Sequence, residues 1–66
     1  MNNCNLINKT KIEAVSKILI DCKNEGIARK IKNKRFFSKE DITVFLNING
    51  AALKVEDWNK IFRILE

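Results

Sequence analysis

The sequence contains no proline and no histidine, and its only glycines are Gly26 and Gly50. Sheet proteins of this length need several tight turns, which favour glycine and proline, so the scarcity of both favours helices. The absence of histidine removes the side chain most often used for acid–base catalysis near neutral pH. The chain also has no glycine-rich phosphate loop, and no motif places a base beside a hydroxyl or thiol. We therefore predict an all-α protein that is not an enzyme.

Cysteine is also scarce, since Cys4 and Cys22 are the only two in the chain. Two thiols without histidine do not complete a zinc site, and a secreted scaffold of this size normally carries about four or more. We expect no metal, no cofactor and a reducing, cytoplasmic setting, with Cys22 acting as a small buried apolar residue. No apolar run approaches the roughly 20 residues of a membrane span, and residues 1–11 have no apolar signal-peptide core. The sequence therefore predicts no membrane partner.

The chain of 66 residues is long enough for one small domain. We predict a single domain over residues 1–66, with the asparagine-rich residues 1–9 as a frayed lead-in. Thr10 and Glu13 have the spacing of a capping box, which predicts the start of the first helix. Gly26 is the predicted left-handed residue that ends this helix.

A second capping box is predicted at Ser38 and Asp41, ahead of a helix over residues 39–47. Phe37 just before this cap and Ile42 four residues after it have the spacing of a hydrophobic staple. The acidic residues at the start of this segment favour a helix over a strand, because they suit the positive end of a helix dipole.

The remaining elements follow from local signals. Residues 27–35 predict a short second helix, Asn49-Gly50 predicts a turn, and residues 55–65 predict the last helix. The expected architecture is a small bundle of three to four helices whose C-terminal half has a helix-turn-helix outline. Helical spacing predicts a core made of Ile12, Val15, Ile18, Leu19, Cys22, Ile42, Phe45, Leu46, Trp58, Ile61, Phe62 and Leu65.

The charge is uneven along the chain, which carries 13 basic and 8 acidic residues and a net charge of +5. One segment concentrates the positive charge without an acid, and we call it the basic run. It consists of Arg29, Lys30, Lys32, Lys34, Arg35 and Lys39. The basic run is either a solvated surface or a patch that contacts phosphates.

Phe36 and Phe37 follow the first five bases, and two adjacent side chains do not easily both point inward. We expect one of them to be a surface anchor beside the basic run, because exposed aromatic and basic groups suit nucleic acids and protein hot spots. We assign this role to Phe36, although the sequence does not decide between the two.

Residues 42–50, ITVFLNING, resemble the opening of the helix-turn-helix found in the large serine recombinases. Residues 53–62 continue the likeness, with a shorter loop and with Leu53 where that family has tryptophan. The same stretch is similar to part of the phage T4 anti-sigma factor, which uses this shape to bind RNA polymerase. The resemblance implies the helix-turn-helix shape over about residues 38–65. It leaves DNA and protein as alternative partners.

Two functions from different classes follow from these features. The first is a DNA-binding regulator in which the basic run holds phosphates while Asn59, Lys60 and Arg63 face the DNA groove. Glu56 and Asp57 on the same helix argue against groove reading, because their charges repel the DNA backbone. The second is a phage or mobile-element inhibitor or adaptor of a host nucleic-acid-processing protein. A homodimer, which would complete a small core and suit a two-fold DNA site, is left open.

Overall fold

The computed structural model describes residues 6–66, which form four α-helices and no β-strand. The all-α prediction and the small helical bundle are confirmed, and the last helix has the predicted bounds. The helices are α1 (Lys9–Asp21), α2 (Glu25–Lys32), α3 (Lys39–Ile48) and α4 (Val55–Leu65). Helix α1 packs most closely against α2 and α4. None of these helices has the length and apolar sequence that a membrane crossing requires.

Helix α1 begins earlier than predicted. The side chain of Asn8 accepts a hydrogen bond from the Thr10 N–H at 2.7 Å, so Asn8 is the N-cap and Thr10 lies inside the first turn. The predicted capping box of Thr10 and Glu13 is therefore wrong. Asparagine caps a helix as well as threonine does, and its earlier position allows a longer helix. Residues 1–5, which include Cys4 and most of the predicted lead-in, lie outside the described residues.

The end of α1 is formed by Lys23, which adopts a left-handed backbone with φ 65°. The Asn24 N–H donates to the Leu19 carbonyl at 2.7 Å, and the Lys23 N–H donates to the Ile20 carbonyl at 3.0 Å. These two bonds define a Schellman motif. The prediction that Gly26 ends this helix is wrong, because Gly26 lies in the first turn of α2.

The end of α3 has the same geometry, with glycine in the left-handed position. Gly50 has φ 70°, and its N–H donates to the Asn47 carbonyl at 3.1 Å. The Ala51 N–H donates to the Leu46 carbonyl at 3.0 Å, which completes a second Schellman motif. The predicted Asn49-Gly50 turn is confirmed. A Cβ added at Gly50 would meet no atom within 4 Å, so the backbone angle alone favours glycine here.

The start of α3 is capped nearly as predicted. The Ser38 hydroxyl accepts a hydrogen bond from the Asp41 N–H at 3.3 Å. The Asp41 carboxylate, however, accepts from the Phe37 N–H at 3.2 Å and not from the N–H of Ser38. The acid therefore holds the backbone one residue further from the helix than a standard capping box does.

The core is built around nine buried apolar side chains. They are Ile12, Val15, Leu19, Ala28, Ile31, Phe36, Ile42, Leu46 and Ile61. Six predicted core residues are only half-buried, because a domain of this size has little interior. These are Ile18, Cys22, Phe45, Trp58, Phe62 and Leu65.

Phe36 belongs to the core, and the choice of Phe36 as the surface anchor is wrong. Its side chain is 5% exposed, and its ring meets the Phe45 ring edge-on with centroids 5.3 Å apart. Phe37 is 55% exposed, whereas Ile42, its predicted staple partner, is fully buried. Only one of the two adjacent phenylalanines therefore enters the core.

Candidate polyanion-binding surface

An open groove of about 360 Å³ lies between the residues around the start of α1 and the end of α2. Four cationic side chains line it, namely Lys9, Lys32, Lys34 and Arg35, and no acidic side chain does. Its apolar lining comes from Leu6, Ile7, Ile12 and Phe36. We call this feature the basic groove. Its positive charge suits anionic groups such as phosphates.

The basic groove is held together by a contact between segments that are distant in sequence. The Ile7 N–H donates to the Phe36 carbonyl at 2.8 Å. Because Phe36 is buried and Ile12 anchors the first turn of α1 in the core, both walls of the groove are fixed. A site with fixed walls loses less conformational entropy when a ligand binds.

The two helix ends beside the basic groove have opposite effects on its electrostatic potential. Helix α1 has no acidic residue in its first turn, so the positive end of its dipole beside Lys9 is not neutralised there. The last turn of α2 carries Arg29, Lys30 and Lys32, where the negative end of that dipole stabilises cations. The α2 dipole therefore offsets part of the repulsion among the cations of its last turn, whereas the α1 dipole adds to the positive potential at Lys9.

The rest of the basic run extends from the groove toward α3. Lys30 donates from Nζ to the Asn49 side-chain oxygen at 3.3 Å, and Lys34 Nζ lies 5.1 Å from the centroid of the Phe45 ring. All six members of the basic run are exposed. The structure therefore places the run on one continuous stretch of chain and leaves every charge in contact with solvent.

The predicted site residues of α4 lie in different surroundings. Asn59, Lys60 and Arg63 are exposed and line a shallow groove with Glu56. Lys60 also borders a depression that contains three carboxylates, those of Asp21, Glu56 and Asp57. This surface is therefore mixed in charge, whereas the basic groove is purely cationic.

Asp57 is tied to the start of its own helix and to the end of α1. Its carboxylate accepts a hydrogen bond from the Lys54 N–H at 3.1 Å and borders the same depression as Cys22. The Lys54 bond, followed by the neighbouring Cys22 thiol, lowers the pKa of Asp57, so the carboxylate stays charged at neutral pH. Burial, followed by the neighbouring Asp57 carboxylate, raises the pKa of the Cys22 thiol. A thiol with a raised pKa is a poor nucleophile at neutral pH.

Sequence reasoning missed Lys9, which the structure adds to the basic run. The signal was not local, because the packing of α1 against α2 and the bond between Ile7 and Phe36 bring this end of α1 to the end of α2. No three histidine, cysteine, aspartate or glutamate residues among residues 6–66 are grouped so as to hold a metal ion.

Comparison with protein-family models, curated proteins and solved structures finds no match to this chain. The resemblance of residues 38–65 to the helix-turn-helix of the large serine recombinases stays a prediction. The helix, turn and helix that it implies correspond to α3, residues 49–54 and α4.

Proposed function

We propose that this chain is a non-enzymatic DNA-binding regulator that docks on the phosphate backbone through the basic groove and the adjoining basic run. The observation that carries the proposal is the convergence of four cations from two distant segments with no acid among them. Each phosphate that a lysine or arginine neutralises releases counterions, which makes the binding favourable and dependent on salt. A reducing, cytoplasmic setting fits this role.

In this proposal, α4 does not read base edges in the major groove. Glu56 and Asp57 lie at its start, where they would face phosphates, and Asp57 stays charged. Phosphate contacts orient a protein on DNA but carry little sequence information. The expected activity is therefore binding to many sequences with similar affinity.

The test is a fluorescence anisotropy titration of a labelled random duplex with the protein at 50 and 200 mM salt. One phosphate contact for each of the four cations of the basic groove predicts a slope of log affinity against log salt of about −3.6, or a loss of about 150-fold between these concentrations. The variant Lys32→Gln/Lys34→Gln should reduce the slope to about −1.8. The matched control Lys60→Gln/Arg63→Gln removes the same charge from α4 and should leave the slope near that of the wild type.

Two results would contradict the proposal. One is the absence of binding at 50 mM salt, where non-specific affinity for DNA is strongest. The other is an equal loss in both double variants, which would mean that net charge and not the basic groove determines affinity.

The second candidate function is that of a phage or mobile-element inhibitor or adaptor that binds a host nucleic-acid-processing protein. It is favoured by exposed apolar side chains on α3, where Val44 is 54% exposed and Ile48 is 78% exposed. Exposed apolar groups beside cations are typical of protein interfaces. The test is a pull-down from nuclease-treated host lysate. A partner that the wild type and Lys17→Asp capture, and that Ile48→Asp does not, would support this function over DNA binding.

A further inference from the structure

Phe37 is an exposed aromatic side chain on a firmly held backbone. Its N–H donates to the Asp41 carboxylate at 3.2 Å, and the preceding residue, Phe36, is buried. The following residue, Ser38, caps α3 through the Asp41 N–H at 3.3 Å. The ring of Phe37 is therefore presented to solvent from a fixed position and not from a loose loop.

Two exposed cations of the basic run flank Phe37 along the chain. Arg35 lies two residues before it and Lys39 two residues after it, and both are exposed. Two acids, Glu40 and Asp41, follow in the first turn of α3, and the Asp41 carboxylate accepts a hydrogen bond from the Phe37 N–H. The core does not require this ring, because Phe36 fills the adjacent core position. The half-buried Phe45 is a poorer platform, since Lys34 already lies over its ring.

We propose that Phe37 stacks on an unpaired nucleobase, and that the basic groove and basic run therefore prefer single-stranded over duplex nucleic acid. This inference rests on the proposed function, and it specifies the form of nucleic acid. Bases in a duplex are stacked on each other and offer no free face to a side chain. Aromatic side chains beside a cationic groove are the usual means of holding single strands without sequence preference. A stack of this kind is lost with alanine and retained with larger aromatic residues.

The experiment measures anisotropy with three labelled probes at one salt concentration. The probes are oligothymidylate of about 12 nucleotides, an abasic phosphodiester strand of the same length, and a duplex of the same length. The proteins are the wild type, Phe37→Ala, Phe37→Trp and the control Val44→Ala, which truncates a side chain of similar exposure on α3. Circular dichroism verifies that all four proteins have the same helical content.

We expect the wild type to bind oligothymidylate at least about fivefold more tightly than the abasic strand or the duplex. Phe37→Ala should abolish this difference and leave affinity for the abasic strand unchanged, while Phe37→Trp and Val44→Ala should retain it. Equal affinity of the wild type for oligothymidylate and the abasic strand would overturn this inference but leave backbone docking intact. An equal effect of Phe37→Ala and Val44→Ala would also overturn it, in favour of an apolar protein interface. Failure to bind all three probes would overturn the proposed function itself.

Discussion

Lys23 and Gly50 occupy the same position in two Schellman motifs, with φ 65° and φ 70°. The left-handed conformation costs a residue with a Cβ about 1–2 kcal/mol, and glycine avoids this cost. Glycine in turn lowers the free energy of unfolding by about 0.4–1 kcal/mol, because it gives the unfolded chain more conformational entropy. The net preference for glycine at either position is therefore about 1 kcal/mol.

The prediction compares glycine with alanine at both positions. Lys23→Gly should be more stable than Lys23→Ala by about 1 kcal/mol, and this comparison removes the effect of the lysine charge near the end of α1. Gly50→Ala should be less stable than the wild type by a similar amount, since its Cβ would meet no neighbour and only the backbone strain remains. Gly26→Ala is the matched control, because Gly26 lies in helical backbone where alanine is favoured.

The assay is urea unfolding followed by circular dichroism, with thermal melts in parallel. A difference of 1 kcal/mol corresponds to about 4–8 °C in Tm for a domain of this size. If Lys23→Gly is no more stable than Lys23→Ala, Lys23 does not adopt the left-handed conformation in solution. In that case the described end of α1 is wrong.

Three further predictions concern single side chains. The Asn24 side chain donates to the Ala52 carbonyl and accepts from the Ala52 N–H, each at 3.1 Å, and so joins the α1–α2 turn to the α3–α4 connection. Asn24→Ala should lower the free energy of unfolding in urea by about 1–3 kcal/mol. No loss would show that this link is dispensable. In the same assay, Phe36→Ala should lower the free energy of unfolding by about 3–5 kcal/mol, and Phe37→Ala should lower it by less than about 0.5 kcal/mol. Similar losses in the two variants would contradict the burial of Phe36 and the exposure of Phe37. The pKa of Asp57 is lowered from its ordinary 3.8, so its contribution to stability is complete above that pH and disappears as the pH falls through the folded-state value. Asp57→Asn should therefore make stability less dependent on pH below about 4, measured by urea unfolding at several pH values, and an unchanged profile would refute the shift.

Elements with short-range signals could be predicted from the sequence. The helix over residues 55–65, the turn at Gly50 and the cap at Ser38 each depend on residues within about one helical turn, and the structure confirms all three. The end of α1 could not be predicted in this way. A lysine was not expected to adopt φ 65° while Gly26 stood three residues later, and only packing of α1 against α2 requires the turn there.

The candidate site was predictable only in part. The basic run was evident as a segment, but Lys9 joins it through a contact between Ile7 and Phe36 that no local pattern shows. The choice between Phe36 and Phe37 depends on which of two adjacent side chains meets Phe45, and that is a tertiary contact. The mixed charge around α4 was visible in sequence as Glu56 and Asp57, whereas the contribution of Asp21 required the fold.

The most direct test of the account is an amide chemical-shift titration of the isotope-labelled protein with a short oligonucleotide at low salt. The account predicts that the largest changes fall at Lys9, at residues 29–39 and around Phe37, with little change on the exposed face of α4. Largest changes at Asn59, Lys60 and Arg63 would contradict it, because they would place the bound strand on the surface of mixed charge and away from the basic groove.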